Sequence, residues 1–179
     1  MKRVAVLMGG PSAEREVSLK SGVAVAGGLR DCGYEVREID VTDVLPALPE
    51  DIDGVFIALH GTYGEDGGVQ RALEALGIPY TGARPEACGL TFDKARCQAH
   101  LAASDVPTAP SELIVRGQSL TLPLPLVIKP CRQGSSIGIS CVHLESEMAA
   151  ALALAFQFDE RVLAESYVPG RELTAGVVD

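Results

Sequence analysis

RVAVLMGGPSAEREVSLKSGVAVAGGLRDCG, residues 3–33, reads as a strand, a glycine turn, a helix and a stop. The apolar run from Val4 to Met8 is continuous, as in a strand buried on both faces. It ends in Gly9-Gly10. Val17, Val23, Val25 and Leu29 then carry helical spacing, and Gly33 suits a C-cap. The pattern recurs downstream. YEVREIDV (34–41) alternates like a strand, and DGVFIALHG (53–61) is a second buried strand ending in His60-Gly61. GGVQRALEALG (67–77) is an amphipathic helix closed by Gly77, and IPYTG (78–82) is a short strand. This βαβ rhythm predicts a parallel sheet with helices on its faces. Ligands of such sheets sit beyond the carboxyl ends of the strands, where Gly9-Gly10 and His60-Gly61 both fall.

The texture changes near residues 84–94. RPEACGL and TFDKARCQAHLAASDV read as two short helices. Strands follow at 111–115, 124–129 and 137–142, with a helix in ESEMAAALALAF and further strands at 161–166 and 172–178. A domain boundary is placed near residue 93.

Bulk properties exclude several classes. The chain has 179 residues, 47% apolar and 22% charged, enough for a core in one large or two small domains. A net charge of −9 repels nucleic acid and anionic membrane surfaces, and 4% aromatics without Trp give no stacking platform. Cys32, Cys88, Cys97, Cys131 and Cys141 form no C-x-x-C pair, which suggests a reducing compartment rather than a disulfide framework or zinc ribbon. The N-terminal apolar run is too short for a signal peptide, and no run approaches a membrane helix.

In LVIKPCRQGSSIGIS (126–140), an apolar strand delivers Lys129 to a loop of glycines and serines. Gln133 to Gly138 offer backbone N–H groups and two hydroxyls that can close over an anion, with the lysine as a point charge. The order is not that of a Walker A loop, since the lysine precedes the glycines. The competing reading is a hairpin turn with a surface lysine. Lys94 opens a helix, and alone it reads as a solvated charge. Glu165, at a strand end, and Glu172, after Pro-Gly, suit either a ribose hydroxyl or a charged turn. The backbone near Ser166 and Val168 suits an adenine edge. Glu14 either stabilises a helix start or holds a substrate ammonium. His60 is either a hydrogen-bonded core residue or a ligand contact. No His/Cys/Asp/Glu spacing makes a zinc site, and no Ser-His-Asp order or G-x-S-x-G elbow is present.

Five ordered blocks carry a likeness: VAVLMGGPSAEREVSLKSG, VFIALHGTYGEDGGVQRALEALGIPYTG, DKARCQAHLAASDVPTAP, LPLVIKPCRQGSSIGIS and VLAESYVPGRELTAGVV. Together they resemble the N-terminal and central part of the D-alanine–D-alanine ligases, of the ATP-grasp superfamily. The resemblance implies an α/β fold. A Rossmann-like (pre-ATP-grasp) domain would span 1–93, a small ATP-grasp subdomain with a phosphate flap 94–164, and the start of a C-terminal ATP-grasp domain 165–179.

The implied reaction is ATP-dependent joining of two D-alanines through an acylphosphate, for peptidoglycan precursors, by a cytoplasmic homodimer paired through its N-terminal domain. By the same resemblance Glu14, His60 and Ser135 serve the first D-alanine, with Glu14 and Ser135 as catalytic residues. Lys94, Lys129, Ser136, Ile137, Gly138, Glu165, Ser166, Val168 and Glu172 serve ATP. Gln133 and Ser166 depart from residues common in the family. The family's Asp, Glu and Asn ligands for Mg²⁺ or Mn²⁺ are expected beyond Asp179. The chain is thus expected to be an incomplete portion, inactive by itself. A D-alanine–D-lactate or D-serine ligase, or a non-catalytic binding or dimerisation module, remains an alternative.

Overall fold

The computed structural model describes residues 2–176. The chain forms two compact units, one of residues up to 100 with 131–137, the other of 101–130 with 138 onward. This division falls inside a helix a few residues past position 93.

In the first unit, β1 (Arg3–Gly9) pairs in parallel with β2 (Glu35–Val41) on one side and β3 (Gly54–Ile57) on the other. IPYTG contributes a parallel bridge from Val55 to Tyr80 rather than a full strand. Successive β1 side chains point to opposite faces. Ala5 and Leu7 pack with Val41, Leu59, Val69 and Leu73, the last two from α2 (Gly68–Ala75). Val6 and Met8 pack with Ala26 of α1 (Arg15–Asp31). Both faces are therefore covered, which is why β1 is an unbroken apolar run.

The face that α1 buries is not the expected valine stripe. Its buried residues are Ser18, Gly22 and Ala26, while Val17 and Val23 are more than half exposed. Val25 and Leu29 pack at the margin. The reason is close approach: a Cβ on Gly22 would lie 2.5 Å from Met8 Cβ. Small residues at i, i+4 and i+8 let the helix backbone settle on β1, and the valines are left outside. The unit continues with α3 (Pro85–Phe92) and α4 (Lys94–Ala103).

The second unit holds an antiparallel sheet in the order β4 (Ser111–Val115), β7 (Arg161–Ser166), β5 (Leu126–Pro130), β6 (Ser140–Val142). Helix α5 (Glu145–Ala155) covers one face, and Ala151 and Ala155 pack on Ile114, Leu126, Ile128, Val142, Val162 and Ala164. Strands expected over 124–129 and 137–142 are shorter or shifted, because among the described residues the 118–125 segment and the glycine loop pair with no strand. Residues 172–176 form no strand; positions 177 and 178 lie outside the described residues. Among the described residues no helix is long and apolar enough to cross a membrane.

Candidate functional site

In the first unit the carboxyl ends of β1 and β3 are tied together by one buried hydroxyl. Ser18 Oγ accepts the Gly9 N–H at 2.8 Å and donates to the Ala58 carbonyl at 2.8 Å. Beside this junction the 10–14 turn leads into α1. Ser12 Oγ donates to the His60 carbonyl at 2.7 Å and accepts the Glu14 N–H at 3.1 Å. Glu14 thus stands at the mouth of the sheet, at the N-terminus of α1.

The neighbouring cation does not neutralise Glu14. Arg15 turns to the end of β2, donating to Asp40 at 2.6 Å and to the Val41 carbonyl at 3.0 Å. Its hydrogen bond to Asp40 raises its pKa against the opposing effect of desolvation. Among the described residues the Glu14 carboxylate makes no ion pair or hydrogen bond. It lies instead between two glycine backbones: a Cβ on Gly61 would come within 2.8 Å of Glu14 Oε2, and one on Gly134 within 2.4 Å.

His60 follows β3. Its Nε2 lies 3.2 Å from Ser21 Oγ on α1, and its Nδ1 3.7 Å from a Glu65 carboxylate oxygen. The ring is about one-third exposed, so it is held by polar neighbours rather than sealed in a core. The loop beyond is braced by Asp66, which accepts the Tyr63 N–H at 3.0 Å and the Gly68 N–H at 2.8 Å. The Tyr63 hydroxyl accepts the Leu45 N–H at 2.8 Å.

The 131–137 loop belongs to this unit. Lys94 meets it twice: its backbone N–H bonds the Cys131 carbonyl at 3.0 Å, and its Nζ donates to the Gln133 carbonyl at 2.6 Å. Ser135 and Ser136 are exposed, and Ser135 adopts a left-handed φ of 53°. Gly134 is the loop residue that meets Glu14; no hydrogen bond joins Ser135 to Glu14 among the described residues.

In the second unit Lys129 and Glu165 form a close ion pair, with side chains 19% and 13% exposed. Leu126, Ile128 and Pro130 turn inward, so alternation puts Lys129 on the face opposite α5. The register places Glu165 opposite Val127, two residues from Lys129 and on the same face. Gly138, at φ 73°, leaves no room for a side chain: a Cβ would lie 2.7 Å from the Phe158 ring. Ile137, the last residue of the first unit's loop, is half-buried. The Ser166 N–H bonds the Pro110 carbonyl at 2.9 Å. Val168 and Glu172 are exposed and outside any strand. Among the described residues no cluster of three or more His, Cys, Asp or Glu side chains could hold a metal ion.

Ser12 and Ser21 escaped the sequence reading, as did the approach of Gly61 and Gly134 to Glu14. The signal for Ser21 was its position three residues after Ser18, which puts both hydroxyls on one side of α1.

Two family models match the chain. The model described as D-ala D-ala ligase N-terminus matches residues 43–83, and the one described as D-ala D-ala ligase C-terminus matches 99–179. The chain is 49% identical to a D-alanine–D-alanine ligase of Syntrophotalea carbinolica and 46% identical to one of Citrifermentans bemidjiense. Each alignment covers 99% of this chain and 60% of the relative, so the chain spans about 60% of the length of the curated relatives it matches. Among solved structures it resembles the D-alanine–D-alanine ligase of Bacillus anthracis, with a TM-score of 0.84 and 34% identity over 95% of this chain and 59% of that one. The D-alanyl-alanine synthetase A of Vibrio cholerae gives a TM-score of 0.81 at 28% identity, covering 94% of this chain and 60% of that one.

Proposed function

The chain belongs to the D-alanine–D-alanine ligase family, and from that premise we propose that it carries the first-substrate and phosphate-side machinery for ATP-dependent joining of two D-alanines. The observation that supports this most is Glu14. It is a carboxylate at the mouth of a parallel sheet, with glycine backbone on two sides and no cation among the described residues. A substrate ammonium supplies the missing charge, and three N–H donors suit an acceptor-only group. His60, steadied by Ser21, serves the same substrate's carboxylate end, with Ser135 beside the Gly134 contact.

For the nucleotide, Lys94 and Lys129 supply charge to the phosphates, and Ser136, Ile137 and Gly138 form the flap. Glu165, the backbone from Ser166 to Val168, and Glu172 take the ribose and base. The γ-phosphoryl group passes from ATP to a carboxylate oxygen of the first D-alanine, and ADP leaves. The amine of the second D-alanine attacks that carbonyl carbon, phosphate leaves, and the amine loses a proton. These residues bind and align the reactants, and catalysis in such a transfer is mostly positioning and electrostatic stabilisation. A divalent metal ion, when bound, would screen phosphate charge during transfer.

The proposed boundaries are 1–93 for the Rossmann-like part, 94–164 for the small ATP-grasp subdomain and 165–179 for the start of the next. Pairing of two copies through the first part, and work in the cytoplasm, belong to the same proposal. The test is dipeptide formation by the protein expressed from its complete reading frame. D-alanyl-D-alanine and phosphate should appear in equal amounts, dependent on ATP. Phosphate release without dipeptide would refute the reading.

A further inference from the structure

We infer that Gly134 is a positioning residue for the Glu14 carboxylate: its missing side chain sets how deep that carboxylate sits, and hence where a substrate ammonium is held. The inference rests on the proposed role of Glu14.

The ordinary reasons for a glycine do not apply at position 134. Its φ lies outside the left-handed region, so the backbone itself would accept an L side chain. The constraint is spatial and comes from one residue. The three heavy atoms nearest to a Cβ built there all belong to Glu14: Oε2 at 2.4 Å, Cδ at 3.3 Å and Oε1 at 3.4 Å. No real Cβ sits that close to an oxygen, so a methyl group at 134 must displace the carboxylate.

The carboxylate would leave a place that is walled on two sides. Gly61 walls it on another side, where a Cβ would lie 2.8 Å from the same Oε2 and 3.0 Å from Ser12 Cβ. Ser12 in turn holds the Glu14 N–H and the His60 carbonyl, which fixes the start of the side chain. The side chain is therefore anchored at its base and bounded by glycine backbone on two sides at its tip. Lys94 sets the third element, since it bonds the loop at the Cys131 and Gln133 carbonyls immediately before Gly134. The loop's lean against Glu14 is thus fixed by contacts made elsewhere, and the glycine converts that lean into room for a carboxylate and nothing more.

A flexible tip can swing aside at small cost to folding, so Gly134→Ala should act on substrate binding rather than on stability. A shift on the order of 1 Å in a binding group can cost up to about a hundredfold. The test is a cycle in the protein expressed from its complete reading frame, using Gly134→Ala, Glu14→Asp, Glu14→Gln and the double variant Glu14→Asp/Gly134→Ala. Gly134→Ala should raise the KM for the first D-alanine by at least about tenfold with the KM for ATP unchanged. In the Glu14→Asp background, where the carboxylate is one methylene shorter and clear of the methyl group, the same change should add no further loss. If Gly134→Ala does not fold, Glu14→Ala/Gly134→Ala should fold, because the colliding group is gone; failure of both overturns the inference. An unchanged first-substrate KM in Gly134→Ala overturns it, as does an equal penalty in the Glu14 and Asp backgrounds. If Glu14→Gln raises that KM while Gly134→Ala is silent, only the positioning role falls. If Glu14→Gln also leaves it unchanged, the underlying assignment of Glu14 falls with it.

Discussion

Lys129 Nζ and the Glu165 carboxylate form an ion pair on the face of the second sheet opposite α5. Each side chain is more than four-fifths buried, so breaking the pair takes a partner from a charge held largely out of water. A nucleotide phosphate would offer Lys129 a second anion. On the proposed reading, Lys129→Ala should weaken ATP binding by about 1.5–3 kcal/mol, roughly ten- to a hundredfold. It should also lower stability, because a largely buried ion pair is broken. Lys129→Ala/Glu165→Gln should recover stability but not ATP affinity. Calorimetric titration with ATP and denaturant melts separate the two effects, and recovery of both together would contradict the phosphate role.

Two glycines of α1 should respond oppositely to alanine. Gly28 is exposed and has nothing within 4 Å of a built Cβ. Gly28→Ala should therefore stabilise the protein by about 0.5–1 kcal/mol, the usual gain on replacing a helix glycine. Gly22→Ala forces a methyl group onto Met8 and should cost about 1–3 kcal/mol, outweighing the same gain. Urea midpoints of the two variants would show it; equal shifts would mean that α1 does not rest on β1 through Gly22.

How much of this was legible in the sequence depends on distance along the chain. The unbroken apolar run of β1 and the Gly33 stop were readable because they follow from local geometry. Which face of α1 is buried was not. Val17 and Val23 are more apolar than Ser18, Gly22 and Ala26, and only the approach to Met8 shows why the small residues win. Glu14, His60, Lys94 and Lys129 stood out as charged or titratable groups at element ends. Gly134 was read only as part of an anion loop, because its contact with Glu14 is with a residue far away in the chain. Ser12 and Ser21 were hidden for the same reason: a serine near a turn or on a helix face is ordinary until its partner, here His60, is known.

The start of α5 should carry a pH signature. Glu147 accepts the His143 N–H at 2.8 Å and the Leu144 N–H at 3.0 Å, and these bonds hold its pKa below the usual carboxylate range. A group with a depressed folded pKa contributes stability above its unfolded pKa and loses it as pH falls through the folded one. Glu147→Gln should therefore destabilise the protein most near neutral pH, and the difference from wild type should shrink in acid. Thermal melts across that range are the check. A constant difference would place the contribution outside the charged carboxylate.

Thiol reactivity should rank by environment. Burial pushes the Cys88 thiol up, with a further push from the Asp66 charge, whereas Cys32 and Cys141 are exposed. Cys88 should alkylate more slowly than either, because the thiolate is the reacting form. Mass-resolved iodoacetamide labelling would show this, and early labelling of Cys88 would count against its partly buried setting.

The central claim is that Glu14 holds the ammonium of the first substrate, and the most direct measurement is the kinetics of Glu14→Gln. The variant keeps the shape of the side chain and removes its charge. With the protein expressed from its complete reading frame, steady-state rates should be followed against D-alanine at saturating ATP, and against ATP at saturating D-alanine. The KM for the first D-alanine should rise by roughly ten- to a hundredfold, the loss expected of one charge-assisted hydrogen bond, while ATP binding is retained. A variant whose defect appears only in ATP binding, with D-alanine recognition intact, would contradict the account.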